Sequence, residues 1–271
     1  MLRLIVLLVL FVIKSVSAQD FQGVAIYSSD RKMDIQLDST RVNSEMQNQI
    51  QEMMRKQFQK EYTLRFNTNE SVYKEEQTLN PTPSAPGVRI MVAGSQSSDI
   101  LYKNSKEKNY AAKREMFGKA FLVKDALTSY DWKLEDETKK IGNYTCYKAT
   151  ATRTVQTQRS VSINSEENTS EPKTEEVTIV AWYTPEIPVS SGPSTYWGLP
   201  GLIMEVSDGN ARILCNKIVL NPKKKIAISA PEKGKVVTED KFEEIMEKKI
   251  KEMQDRVPRG GENSFQIRVR G

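Results

Sequence analysis

Leu202-Ile203-Met204-Glu205-Val206-Ser207-Asp208-Gly209-Asn210-Ala211-Arg212-Ile213-Leu214-Cys215-Asn216-Lys217-Ile218-Val219-Leu220 reads as a strand, a tight turn and a returning strand. Asp-Gly is among the strongest short hairpin signals, because both central residues of a type I′ turn need positive φ. A second hairpin stands upstream. Tyr130, Trp132 and Leu134 alternate with polar residues, Ile141-Gly142-Asn143 turns the chain, and Tyr144 to Thr152 runs back. Between the two lies Val177-Thr178-Ile179-Val180-Ala181-Trp182-Tyr183, a β-branched and aromatic strand. An antiparallel sheet is therefore the centre of the expected fold.

Toward the amino terminus the same pattern continues. Tyr62, Leu64 and Phe66 alternate with polar residues, Asn67 to Asn69 turns the chain, and Val72 and Lys74 continue it. Val24 to Tyr27 reads as a first strand, and short candidates recur near Ile90, Ile100, Tyr110 and Phe121. Asn80-Pro81-Thr82-Pro83-Ser84-Ala85-Pro86-Gly87 cannot hold a regular element. This spacing favours a meander over βαβ units. Gln156 to Glu176 is polar with little to bury, and is expected as a flexible insertion within the domain.

Two segments have helical periodicity. Val42, Met46, Ile50, Met53, Met54 and Phe58 form one apolar face, a methionine-rich one that suits a core or an adaptable binding surface. Phe242, Ile245, Met246, Ile250, Met253 and Val257 form another, with Thr238 as cap and Glu239 and Asp240 in the first turn. The expected fold is α+β: a curved, mostly antiparallel sheet of about eight to ten strands packed by these two amphipathic helices. Residues 258–271 read as an exposed basic tail.

The chain has 271 residues, with 40 Lys and Arg against 35 Asp and Glu, a net charge of +5. Arg3, the apolar run Leu4 to Ile13 and Val16-Ser17-Ala18 have the order of a secretory signal, so residues 1–18 are expected to be removed. The apolar run falls short of the roughly 20 residues that span a bilayer, and no other segment is read as transmembrane. A periplasmic or secreted location follows, with a single domain at 19–257. The basic surplus lies after Asn221, so no coherent basic face for nucleic acid is expected. Histidine is absent, which removes imidazole-based triads and most zinc or copper sites. No cofactor and no metal are called for.

Ala181-Trp182-Tyr183-Thr184-Pro185-Glu186-Ile187-Pro188, Gly192-Pro193, Tyr196-Trp197-Gly198-Leu199-Pro200-Gly201-Leu202-Ile203, Glu205 and Asp208 together resemble the GLPGLI family of exported bacterial proteins. Ile141 to Thr150 upstream and Pro231 to Lys235 downstream are similar to the same pattern. The resemblance covers Tyr130 to Asp255 and implies a periplasmic or secreted protein with no established activity. It carries no catalytic residue.

Three sets of side chains remain as candidates. Trp182, Tyr183, Tyr196 and Trp197 can line a pocket for a sugar or lipid, or fill the core beneath the loop. Cys146 and Cys215, the only cysteines, suit a disulfide in an oxidising compartment, or two buried thiols on strands that never meet. Glu186, Glu205 and Asp208 flank the loop, where a carboxylate pair for glycoside hydrolysis competes with turn-forming or solvated roles. The functional expectation is non-catalytic binding of an apolar or amphiphilic small molecule or of an envelope protein. A structural or interaction module is the alternative, and a carboxylate-based hydrolase a further one.

Overall fold

The computed structural model describes residues 21–31, 59–76, 99–157, 173–209 and 211–256. Its strands are β1 (Gln22–Arg31), β2 (Lys60–Asn67), β3 (Glu70–Glu75), β4 (Ile100–Asn104), β5 (Asn109–Met116) and β6 (Lys119–Ala126). The second half supplies β7 (Lys133–Ile141), β8 (Tyr144–Thr157), β9 (Lys173–Thr184), β10 (Leu202–Ser207), β11 (Ala211–Leu220) and β12 (Lys235–Val237). One helix follows, α1 (Glu239–Arg256).

All twelve strands form a single open sheet in the order β12-β6-β5-β4-β3-β2-β1-β11-β10-β9-β8-β7. The first half meanders outward from β1 to β6, the second meanders inward from β7 to β11, and β11 closes against β1. Every pair is antiparallel except β12 with β6, which is parallel. The Asp208-Gly209 turn joins β10 to β11: Asp208 Oδ1 accepts the Ala211 amide at 2.9 Å, and Gly209 has φ +88°.

Only Leu127 to Trp132 connects β6 to β7, which sit ten places apart in the sheet. Laid flat, ten steps cover about 48 Å, whereas six linking residues reach about 24 Å. The sheet must therefore curl until its two halves face each other. One apolar cluster accordingly draws on β1, β2, β3, β8, β9, β10 and β11, and includes Tyr27, Leu64, Phe66, Tyr73, Cys146, Trp182 and Met204.

The fold differs from the α+β expectation. Among the described residues strands dominate and α1 is the one helix, so the fold is mostly β. Twelve strands replace the eight to ten expected. The Val42 to Phe58 segment lies outside the described residues. The described helix packs at the β12–β6–β5 end, where Phe242, Ile245 and Met246 meet Ala112, Met116, Phe121, Val123 and Val237. Among the described residues, curvature and the loop between β9 and β10 cover the apolar face, and α1 is not matched by a second helix there. The insertion expected at 156–176 is also shorter, because β8 and β9 extend into it and pair as far as Thr157 with Lys173. Residues 1–18, 158–172 and 258–271, and the strand candidate near Ile90, lie outside the described residues.

Tyr27 ties the two halves internally: its hydroxyl donates to Ile203 O at 2.8 Å in a fully buried setting. Tyr27→Phe leaves that carbonyl unpaired and is expected to lower the unfolding free energy by about 1–2 kcal/mol in chemical denaturation, with the fold retained.

Candidate functional site

The loop Pro185 to Gly201 leaves β9 and returns into β10, and its backbone is internally paired. Leu202 N donates to Ile187 O at 3.0 Å, Ile203 N to Ser191 O at 3.0 Å, and Ser191 forms an isolated bridge with Trp197. The glycine pattern has a steric cause. A Cβ on Gly201 would stand 2.2 Å from Thr184 O, and Gly198 has φ +97°, a region L residues rarely enter.

Outside contacts hold the loop on three sides. Trp132 Nε1 donates to Trp197 O at 2.9 Å, and Trp197 Nε1 donates to Thr128 O at 2.7 Å, so the connector and the loop clasp each other through two indoles. Tyr130 packs on Tyr196 with ring centroids 5.5 Å apart. Ser191 and Ser71 of β3 share a buried hydrogen bond at 3.0 Å.

The third anchor is Lys103 on β4. Its Nζ donates to Gly192 O at 2.6 Å, Ser194 O at 2.7 Å and Tyr196 O at 3.0 Å, which engages all three ammonium protons. The side chain is 2% exposed, and burial pushes its pKa down to about 7. Ser71 on β3 and Tyr110 on β5 are its registered neighbours, and neither is a carboxylate. Beside Lys103 and Trp197 opens a small polar depression, lined also by Asn67, Asn69, Ser105 and Ser191. Its open space of about 10 Å³ suits roughly one water molecule.

The four candidate aromatic residues do not converge. Trp182 and Tyr183 are consecutive on β9 and so point to opposite faces. Trp182 belongs to the cluster inside the curl, whereas Tyr183 and Tyr196 join Ala149, Ile179, Leu199 and Ile203 on the other face of β8 to β10. Trp197 is half-buried in the clasp. Of the signature, Leu199, Gly201, Leu202 and Ile203 are buried, while Gly198 and Pro200 are exposed. Leu202 and Ile203 again split between the two faces.

The carboxylates have structural partners. Glu205 is 7% exposed and accepts from Lys139 Nζ at 2.7 Å and Arg212 Nε at 3.0 Å. Burial alone would raise its pKa, but the hydrogen bonds from Arg212 and Lys139 outweigh it and hold the carboxyl below its ordinary range. Lys139 crosses β8 and β9 to reach it, passing 4.2 Å from the centre of the Trp182 ring. Glu186 accepts the Thr145 amide at 2.9 Å, and Asp208 pairs with Arg153 at 3.0 Å. Cys146 on β8 and Cys215 on β11 are free and buried, with β9 and β10 between their strands. Burial pushes the thiols up to about 11 and about 12, so neither is a thiolate at neutral pH.

Sequence reading missed Lys103, Trp132 and Tyr27 as anchors. A signal for Lys103 was present, since it shares period-two phase with Leu101 in a short strand and so points inward. The Trp132 contact joins residues far apart in the chain and has no local signature.

A proton-linked effect follows from Lys103. Below pH 7 both folded and unfolded chains hold its proton, and the folded state bears the full cost of burying the charge. Between about pH 7 and the ordinary lysine value of 10.5, the unfolded chain binds more protons, so this group's contribution to stability rises with pH. The unfolding free energy of the wild type minus that of Lys103→Met is therefore expected to grow from pH 7 to 9.5. A difference that stays flat contradicts the assignment.

Residues 132–205 match a family model described as "Protein of unknown function (Porph_ging)". No curated protein matches the chain. Among solved structures, the fold is similar to "Structure of PNGF-II in C2 space group", at 14% identity and TM-score 0.49, covering 84% of this chain and 33% of that one. "Structure of PNGF-II in P21 space group" matches at 15% identity and TM-score 0.47 with the same coverage. The chain thus spans about a third of the length of the structures it matches.

Proposed function

We propose that the chain is an exported, non-catalytic interaction module of the cell envelope, of the GLPGLI type, that engages a protein partner through the β7–β8 end of its sheet. The observation that carries this reading is the exposure of Leu134 at 58% and Tyr147 at 38%. Leu134 registers with Ala149, and Tyr147 lies two residues away on the same face of β8. Tyr147 also packs on Tyr183 with centroids 6.1 Å apart, which joins the exposed pair to the cluster beneath. The other aromatic candidates are committed to packing on two opposite faces, which favours a partner surface over a ligand cavity among them. The signal-like residues 1–18 support the location.

The test is native mass spectrometry of the chain as recovered after export, beside Leu134→Asp/Tyr147→Asp. The expected wild-type species carries a protein partner, whose recovery falls at least about tenfold in the double variant with thermal stability retained. A lone chain carrying a small amphiphile, or equal partner recovery from both, contradicts the proposal.

A further inference from the structure

At the opposite end of the sheet, β5 and β6 are joined by the two-residue turn Phe117-Gly118, since Met116 registers with Lys119. Both turn residues have positive φ, +50° for Phe117 and +73° for Gly118. Asparagine or glycine ordinarily fills the first position of such a turn, and a bulky side chain there costs about 1–3 kcal/mol. Phe117 nevertheless occupies it and is 44% exposed. The neighbouring edge strand β12 presents a second apolar side chain, Val236, which is 62% exposed.

Lysines surround these two residues. Lys119 begins β6 beside the turn, and Lys235 registers with Phe121 two residues further along. Lys233, exposed, precedes β12 across Gly234, whose φ of +133° ends the strand register there. On the opposite face from Lys119 and Lys235, Lys113 registers with Leu122, which also registers with Val236, and Lys124 follows there. None of these five lysines pairs with a carboxylate among the described residues. The acidic groups nearby are Glu115 and Glu232, with Asp125 on the face that Lys119 and Lys235 share and Glu239 held on that face by Arg114 and Tyr110.

We infer that this corner, with Phe117 at its tip and Lys119, Lys233 and Lys235 around it, docks on an anionic lipid bilayer. Each lysine near such a surface contributes about 1 kcal/mol of attraction. An anionic polymer would satisfy the lysines but leave Phe117, at the tip, in water. A bilayer interface satisfies both, because an apolar layer lies immediately beneath its charges. The inference is independent of the partner surface proposed above, which lies at the other end of the sheet.

The experiment is co-sedimentation of the purified chain with vesicles of phosphatidylcholine and phosphatidylglycerol at about 3:1, against phosphatidylcholine alone. Binding is expected to the anionic vesicles, at least about tenfold weaker to the neutral ones, and to weaken with added salt. Lys119→Gln/Lys233→Gln/Lys235→Gln is expected to lower affinity about a hundredfold. Phe117→Asn, which suits the turn, is expected to keep or raise thermal stability while lowering affinity at least about fivefold. Absence of binding to anionic vesicles overturns the inference, as does equal binding to neutral ones. Undiminished vesicle binding by Phe117→Asn overturns it too, and would identify a polyanion site instead.

Discussion

The six residues from Leu127 to Trp132 are the constraint on which the rest of the structure depends. They join strands at nearly opposite ends of a twelve-stranded sheet, and their reach is about half the flat distance. Curling brings β3 and β4 within range of the loop that leaves β9. Once there, the loop fills the interior with Ile187 and Val189, and the connector itself is gripped by the Trp132 and Trp197 indoles. The signature segment is thus the piece that the curled halves close upon. Its glycines answer to the close approach of Thr184 and to a left-handed turn.

Two buried charges sit on this arrangement and are treated differently. Glu205 has two cationic partners, and its ionised form is favoured. Among the described residues Lys103 has three carbonyl dipoles and no carboxylate partner, so its hydrogen bonds are complete while no counter-charge faces it. Burying an unpaired charge carries a desolvation cost that carbonyls offset only in part. What Lys103 provides in exchange is position, because three backbone oxygens from a non-repetitive loop converge on one atom of β4. A methionine would fill the space and leave those oxygens unpaired.

Local patterns in the sequence carried the hairpins well. The Asp208-Gly209 and Gly142-Asn143 turns, the alternation in Tyr62 to Phe66 and the apolar stripe of α1 are all short-range signals, and the structure has an element at each. The fold class was less legible. A helical stripe announces a helix but not how much sheet it covers, and α1 covers the β12–β6–β5 end. At the candidate site, period two already separates Trp182 from Tyr183, so those neighbours could not share one wall. Glu205 stood in the sequence between a hydrolytic pair and a solvated role, because its partners come from β7 and β11. Contacts like these depend on strand order, which no local pattern encodes.

Taken together, the curled open sheet has a packed inner face and two unlike ends. The β7–β8 end shows Leu134 and Tyr147, and the β12–β6 end shows Phe117 and Val236 among lysines. Both proposals rest on those ends because the loop between β9 and β10 is engaged in holding the curl. Hydrogen exchange of the amides from Ser191 to Ile203, read against those of β1 and β10, tests that claim most directly. Exchange of the loop amides at the rate of global unfolding, together with the strands, is the expected result. Fast local exchange of the loop while the strands stay protected would contradict it and mark the segment as a mobile binding element.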